Sequence, residues 1–163
     1  MILAEALAAR KDLLTEINVL SERAAANVLR YEDEDPEENV GAGDLLSQMA
    51  EKLGEFEAMN VAINKTNNKV RLSFDGNTMN LMEAIALRDR MALSIKRQRS
   101  VLEALEGGKT RNRYGYEKRT KDDVRQVPTM DPAELRNSID GESARMRQLD
   151  VEIQKVNWST DLT

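Results

Sequence analysis

Residues 2–17 read ILAEALAARKDLLTEI, and residues 80–95 read NLMEAIALRDRMALSI. Laid over each other without a gap, they match at Leu3/Leu81, Glu5/Glu83, Ala6/Ala84, Ala8/Ala86, Arg10/Arg88 and Ile17/Ile95, six identities in sixteen positions. Any two amphipathic helices share apolar matches, so those alone carry little. The shared Glu and Arg carry more. Further along, Val61, Ile63, Lys65 and Asn67 line up in the same way with Val151, Ile153, Lys155 and Asn157. The chain reads as two related helix hairpins in tandem, repeat 1 over about 2–67 and repeat 2 over about 80–157, each packing antiparallel.

Working outward, the seam Leu3, Ala6, Leu13, Ile17, Leu20, Ala24 predicts a first helix over 3–31, with Leu7, Leu14 and Val28 widening the stripe. An acidic linker over 32–43, broken by Pro36 and carrying Gly41 and Gly43, follows it. The second helix is expected over 44–66, with Leu46, Met49, Leu53, Phe56 and Ile63 inward and Asn67-Asn68 as its stop. Residues 70–74 alternate apolar and polar before Asp75-Gly76, a tight-turn pair. Asn80 with Glu83 forms a capping box for the third helix, whose seam is Leu81, Ala84, Arg88, Met91, Ile95, Gln98, Leu102, Leu105. Gly107-Gly108 stops it, and residues 109–130 form a basic excursion. Asp131-Pro132-Ala133-Glu134 starts the fourth helix, with Leu135, Ile139, Met146, Leu149, Ile153 and Val156 inward. Trp158 is expected to seal the bundle end, and the eight methionines to fill core gaps. The expected fold is all-α, a single helical domain over 1–163 made of long antiparallel hairpins with one or two short β-like excursions.

Composition agrees. Of 163 residues, 33% are charged and only 4% aromatic, which suits long amphipathic helices better than sheets. With no cysteine and no histidine, disulfides, thiolate or imidazole metal sites, Ser-His-Asp triads and Cys-His nucleophiles are excluded. No calcium-loop pattern is present, so neither a metal nor a cofactor is expected. No apolar run approaches the roughly 20 residues a membrane span needs. The opening Met1-Ile2-Leu3-Ala4-Glu5 is helical at once and carries no basic leader, so the chain is expected in the cytoplasm with no membrane partner.

Charge is unevenly placed. The net charge is −5, yet residues 1–60 hold five basic and fourteen acidic side chains, and residues 88–125 twelve basic and six acidic. An acidic surface facing a basic one, within or between subunits, is the favoured reading. The alternative is a nucleic-acid interface on Arg111, Arg113, Lys118 and Arg119 interleaved with Tyr114 and Tyr116. Glu117, Asp122, Asp123 and the negative total argue against nucleic acid as the main partner. Lys96, Arg97 and Arg99 sit late in helix three, where positive charge suits the helix dipole.

The duplication nominates a second site. In an antiparallel hairpin, Glu5 and Arg10 return to the level of Lys65 and Asn67, and Glu83 and Arg88 to that of Lys155 and Asn157. Arg10 and Arg88 fall on otherwise apolar seams, so each is expected to be paired with a carboxylate. A register-fixing role is favoured; the alternative is a paired anion- or metal-binding site at the helix ends, with an enzymatic site as one form of it.

The start Leu3-Ala4-Glu5-Ala6-Leu7, the Asn64-Lys65-Thr66-Asn67 helix end, Asp75-Gly76, then Leu81-Met82-Glu83-Ala84 with Arg88-Asp89, and Ile153 through Trp158 together resemble the bacterial proteins labelled septicolysin-like. The best marker is Asn-Trp-x-Thr-acid-Leu over 157–162. The resemblance spans nearly the whole chain and implies a bacterial origin and this fold. It implies no assigned activity, and the sequence gives the cytolysin in the label no support. The residues thus point to a structural or interaction protein, assembling as a homo-oligomer or with another protein through helix surfaces. They name no reaction.

Overall fold

A computed structural model describes residues 1–29, 40–107 and 128–163. Helices α1 (Leu3–Ala26) and α2 (Ala42–Lys69) precede strands β1 (Arg71–Phe74) and β2 (Asn77–Asn80), and helices α3 (Leu81–Gly107) and α4 (Pro132–Ser159) follow. The fold is mostly helical, with one small antiparallel sheet among the described residues.

The apolar seams decide the burial. Leu3, Ala6, Ile17, Leu20 and Ala24 are buried in α1, Leu81, Ala84, Met91 and Ile95 in α3, and Leu135, Ile139, Leu149 and Ile153 in α4. The seam of α2 departs from expectation by one residue. Leu45 is 1% exposed, whereas Leu46 and Leu53 are 49% and 45% exposed. Period alone does not decide between adjacent leucines. The inward row is Leu45, Met49, Lys52, Phe56, Ile63, in which Lys52 is half-buried and keeps its ammonium on Glu16 and Glu55.

Helix ends also differ. Helix α1 stops at Ala26, because Asn27 leaves helical geometry and its side-chain Nδ2 donates to the Arg23 carbonyl at 2.8 Å. Helix α2 runs through Asn67 and Asn68 to Lys69; Asn68 Nδ2 donates to the Asn64 carbonyl, so this asparagine braces the helix rather than ending it. Gly41 precedes α2, so Ala42 and Gly43 belong to the helix, not to the linker. Trp158 is 66% exposed and seals nothing within the described residues. As expected, Asp131 Oδ1 accepts from the Ala133 amide at 2.8 Å at the start of α4. At the turn between β1 and β2, Asp75 and Gly76 both take positive φ, +50° and +76°, the mirror-image turn that a two-residue hairpin favours.

The described chain forms two compact units, one of Met1–Met82 with Ile153–Thr163 and one of Glu83–Glu152. In the first, α1 and α2 run antiparallel: Leu20 and Ala24 pack on Leu45 and Met49, and Lys52 Nζ lies 3.4 Å from Glu16. In the second, Ile95, Leu102 and Leu105 of α3 pack with Leu135, Ile139 and Met146 of α4. Ser94 Oγ and Gln98 Nε2 each donate to Glu142 at 2.8 Å.

Positions related by the sequence repeat make equivalent contacts. Glu16 stands 78 positions before Ser94, the offset that aligns 2–17 with 80–95, and Lys52 stands 90 before Glu142, the offset that aligns 61–67 with 151–157. Ala24, Leu45 and Met49 likewise correspond to Leu102, Leu135 and Ile139. The same offsets relate the β1–β2 pair to an isolated bridge in the first unit. Arg71 pairs with Asn80, and Ile2 pairs with Asp161. The Leu81 amide donates to the Val70 carbonyl at 3.0 Å, and the Leu3 amide to the Thr160 carbonyl at 2.8 Å. Each first helix is therefore tethered at its start to the segment that follows the other repeat's second helix.

Candidate functional site

The residues nominated at the helix ends serve different local ends. Glu5 accepts from the Ile2 amide at 3.0 Å, so its carboxylate caps α1. Arg10 is half-buried, and among the described residues no carboxylate or other acceptor pairs with it. Lys65 is exposed and Asn67 half-buried. No hydrogen bond or ion pair among the described residues joins these two to Glu5 or Arg10. Between the asparagine and the lysine, Thr66 is wholly buried, donating to the Ala62 carbonyl and accepting from the Thr163 amide, each at 3.0 Å.

In the second repeat, Glu83 and Arg88 belong to the second unit, and Lys155 and Asn157 to the first. Arg88 meets the expectation placed on it. Its Nη2 lies 2.7 Å from Asp89 Oδ1, and its Nε 4.0 Å from Asp150. At the positions corresponding to Asp89 and Asp150, the first repeat has Lys11 and Asn60, which explains why Arg10 has no such partner. Glu83 and Lys155 are exposed and Asn157 is buried. Arg111, Arg113, Tyr114, Tyr116, Lys118 and Arg119 lie outside the described residues.

The second unit holds a groove of about 570 Å³ along one flank of α3 and α4. Ala92, Lys96, Arg99 and Glu103 recur along α3 at helical spacing and line it, together with Ser143, Met146 and Arg147 of α4. Ser143 is 7% exposed, and its Oγ is buried without a hydrogen-bond partner. Lys96, Arg99 and Arg147 are exposed, and no ion pair among the described residues joins them to a carboxylate. On the opposite flank Ser94, Gln98, Ser138 and Glu142 form a closed hydrogen-bonded ladder. One side of the helix pair is satisfied internally; the other presents positive charge and a spare hydroxyl. Sequence reading noted Lys96 and Arg99 only as dipole partners and missed Ser143 and Arg147. Their signal was available: at the position corresponding to Ser143 the first repeat has Leu53.

The first unit differs at corresponding places. Leu46, Leu53 and Val61 lie along one flank of α2, 45–49% exposed, with exposed Ala50 between them, and Leu14 of α1 is 47% exposed. A shallow pocket beside them is lined by Glu57, Val61, Lys65, Lys69 and Thr163. Among the described residues no group of three or more acidic side chains could hold a metal ion, and no helix is long and apolar enough to cross a membrane.

Fold and surface together define a duplicated helix-hairpin protein with one apolar and one basic flank. The chain belongs to a family of unknown function, DUF6847, whose model matches residues 10–162. It is similar to a solved structure described as a functionally unknown conserved protein from Corynebacterium diphtheriae. That alignment has 28% identity and a TM-score of 0.80, covering 100% of this chain and 99% of that one. No curated protein matches the chain. The resemblance drawn from the motifs is upheld as membership of an uncharacterised family, not as the septicolysin-like label.

Proposed function

We propose that the protein is a helical interaction module that self-associates through the first hairpin. The supporting observation is the row Leu46, Ala50, Leu53, Val61 on α2, half-exposed along about 22 Å of helix at 1.5 Å per residue. Among the described residues fifteen large hydrophobic side chains are at least 43% exposed, and three of them, Leu46, Leu53 and Val61, share this row. The occupant we assign to this flank is a second copy. A straight apolar row is self-complementary when laid antiparallel on its twin, the arrangement of a two-fold dimer. Membership of an uncharacterised family fits such a role, and the septicolysin-like resemblance implies no activity that competes with it. A bacterial cytoplasm is the setting this reading assumes, and the source of the structural neighbour supports its bacterial half.

Light scattering on the 18.4 kDa chain at roughly 10–100 micromolar should give a multiple of that mass. Replacing Leu46 and Leu53 with glutamate should return the monomer with unchanged helical circular dichroism, because neither side chain belongs to the buried seam. A monomeric wild-type chain across that range overturns the proposal.

A further inference from the structure

Taken through the sequence offsets, the groove of the second unit is the first hairpin's flank rebuilt for a different contact. Leu53 becomes Ser143, Glu57 becomes Arg147, Asn18 becomes Lys96, and Ser21 becomes Arg99. These four changes put a serine and three cations where the first hairpin has a leucine, a glutamate and two neutral polar residues, while the core positions Leu45/Leu135 and Ile17/Ile95 stay apolar. Helix packing does not ask for the three cations, since Lys96, Arg99 and Arg147 are all exposed.

Two independent features then converge. Four cations, Lys96, Arg97, Arg99 and Arg147, line one groove with no ion-pair partner among the described residues. Ser143 lines the same groove, its hydroxyl lies buried just beneath with a donor to give, and a buried hydroxyl with no partner is uncommon in a folded protein. Guanidinium groups offer paired donors to a tetrahedral oxyanion, an ammonium adds a point charge, and a hydroxyl donates one further hydrogen bond. Ala92, Ile95 and Met146 give the lining an apolar part, with Ser100 and Glu103 beside them. Glu103 stands one helical turn beyond Arg99 and would accept from a hydroxyl or amine. The volume, about 570 Å³, exceeds what inorganic phosphate fills and lies in the range of small-molecule sites.

We infer that this groove binds a small phosphorylated organic anion, its phosphate held by Lys96, Arg99, Arg147 and Ser143 and its body resting on Ala92, Ile95 and Met146. The inference goes beyond self-association and does not depend on it, because the two flanks belong to different hairpins.

The test uses the full chain, with adenosine monophosphate, inorganic phosphate and adenosine as probes, read by calorimetry and thermal shift at low salt. Adenosine monophosphate should bind and raise the melting temperature, inorganic phosphate should bind more weakly, and adenosine should do neither. Arg147→Glu and Ser143→Leu install the residues of the first hairpin, and each should weaken binding by at least ~10-fold. Ser143→Ala removes the hydroxyl with the least disturbance of packing and should also weaken binding. Arg90→Glu makes the same charge change on α3 outside the groove and should leave affinity within about twofold. No binding by any phosphate probe overturns the inference. So does an equal loss in Arg90→Glu, which reduces the effect to net charge. A single-stranded RNA that binds more tightly than the nucleotide and is lost in the same variants overturns it in favour of a nucleic-acid surface. A change of mass in Arg147→Glu without nucleotide binding overturns it in favour of a second copy.

Discussion

The first hairpin places Lys52 on Glu16 where the second places Glu142 on Ser94, and the two pairs occupy corresponding positions with inverted chemistry. Around them the frames agree. Leu45 and Leu135 are buried at matching places, as are Ile17 and Ile95, and matching amides at Leu3 and Leu81 are tethered by matching carbonyls. What differs lies on the flanks: leucine, alanine and valine along α2 in one hairpin, and arginine, lysine and serine along α3 and α4 in the other. Where two copies of one packing scheme are compared, shared residues report the demands of the fold. Residues that differ on a common frame report something besides packing: one flank exchanges hydrogen-bonding partners, and the other exchanges apolar side chains for basic ones.

The comparison breaks most easily at its core. Leu45→Ala and Leu135→Ala should each cost about 2–5 kcal/mol in urea denaturation, because each empties a buried leucine site between two helices. Leu45, at 1% exposure against 8%, should cost more. If either substitution costs less than about 1 kcal/mol, the two cores are not equivalent in energy, whatever their geometry.

The strand pairs give the next test. One is closed by the Asp75-Gly76 turn, while the other joins segments distant in sequence. Deleting residues 161–163 removes the bond from the Leu162 amide to the Met1 carbonyl and the bonds of Thr163 to Thr66, for a cost of about 1–3 kcal/mol. Gly76→Ala keeps every bond of the turn-closed pair but strains a φ of +76°, and should cost about 1 kcal/mol. The order of these two effects in thermal melting is the observation to make. Deletion milder than Gly76→Ala would show that the open pair contributes little.

The smallest effect is at Lys52. The Glu55 carboxylate, and then Glu16, hold its ammonium above the ordinary lysine value of 10.5. A group whose folded pKa is raised stabilises below its unfolded pKa and loses that contribution as pH rises through the folded value. The melting-temperature difference between wild type and Lys52→Met should therefore be constant at neutral pH and shrink only above about pH 10.5. Because the Lys52 ammonium faces solvent, salt should shrink it too. A difference that persists at high pH would assign the effect to lost packing of the lysine stem.

Much of the frame was legible before any coordinates. The seams of α1, α3 and α4, the Asp75-Gly76 turn and the Asp131 cap follow from periodicity and backbone chemistry that act locally. The seam of α2 was misplaced because Leu45 and Leu46 are adjacent, and the inward row includes Lys52, whose stem packs while its charge stays wet. Asn67 and Asn68 look like stops but lie inside the helix, and Asn68 bonds to the Asn64 carbonyl within it. At the candidate site, Arg88 was legible as a seam arginine needing carboxylates. The groove was not, since Ser143 gains its meaning only by burial without a partner. That property belongs to three-dimensional surroundings and not to spacing.

Chain order adds a temporal side to the second strand pair. Residues 153–163 belong to the same compact unit as Met1–Met82, yet they are synthesised about 70 residues after Met82. At 5–20 residues per second, that is roughly 4–14 s of translation. During that interval α1 and α2 can meet, but the Leu3 amide has no Thr160 carbonyl and Thr66 has no Thr163 beside it. Residues 153–163 close the unit that Met1–Met82 begins, so a chain halted before them stays open at that end.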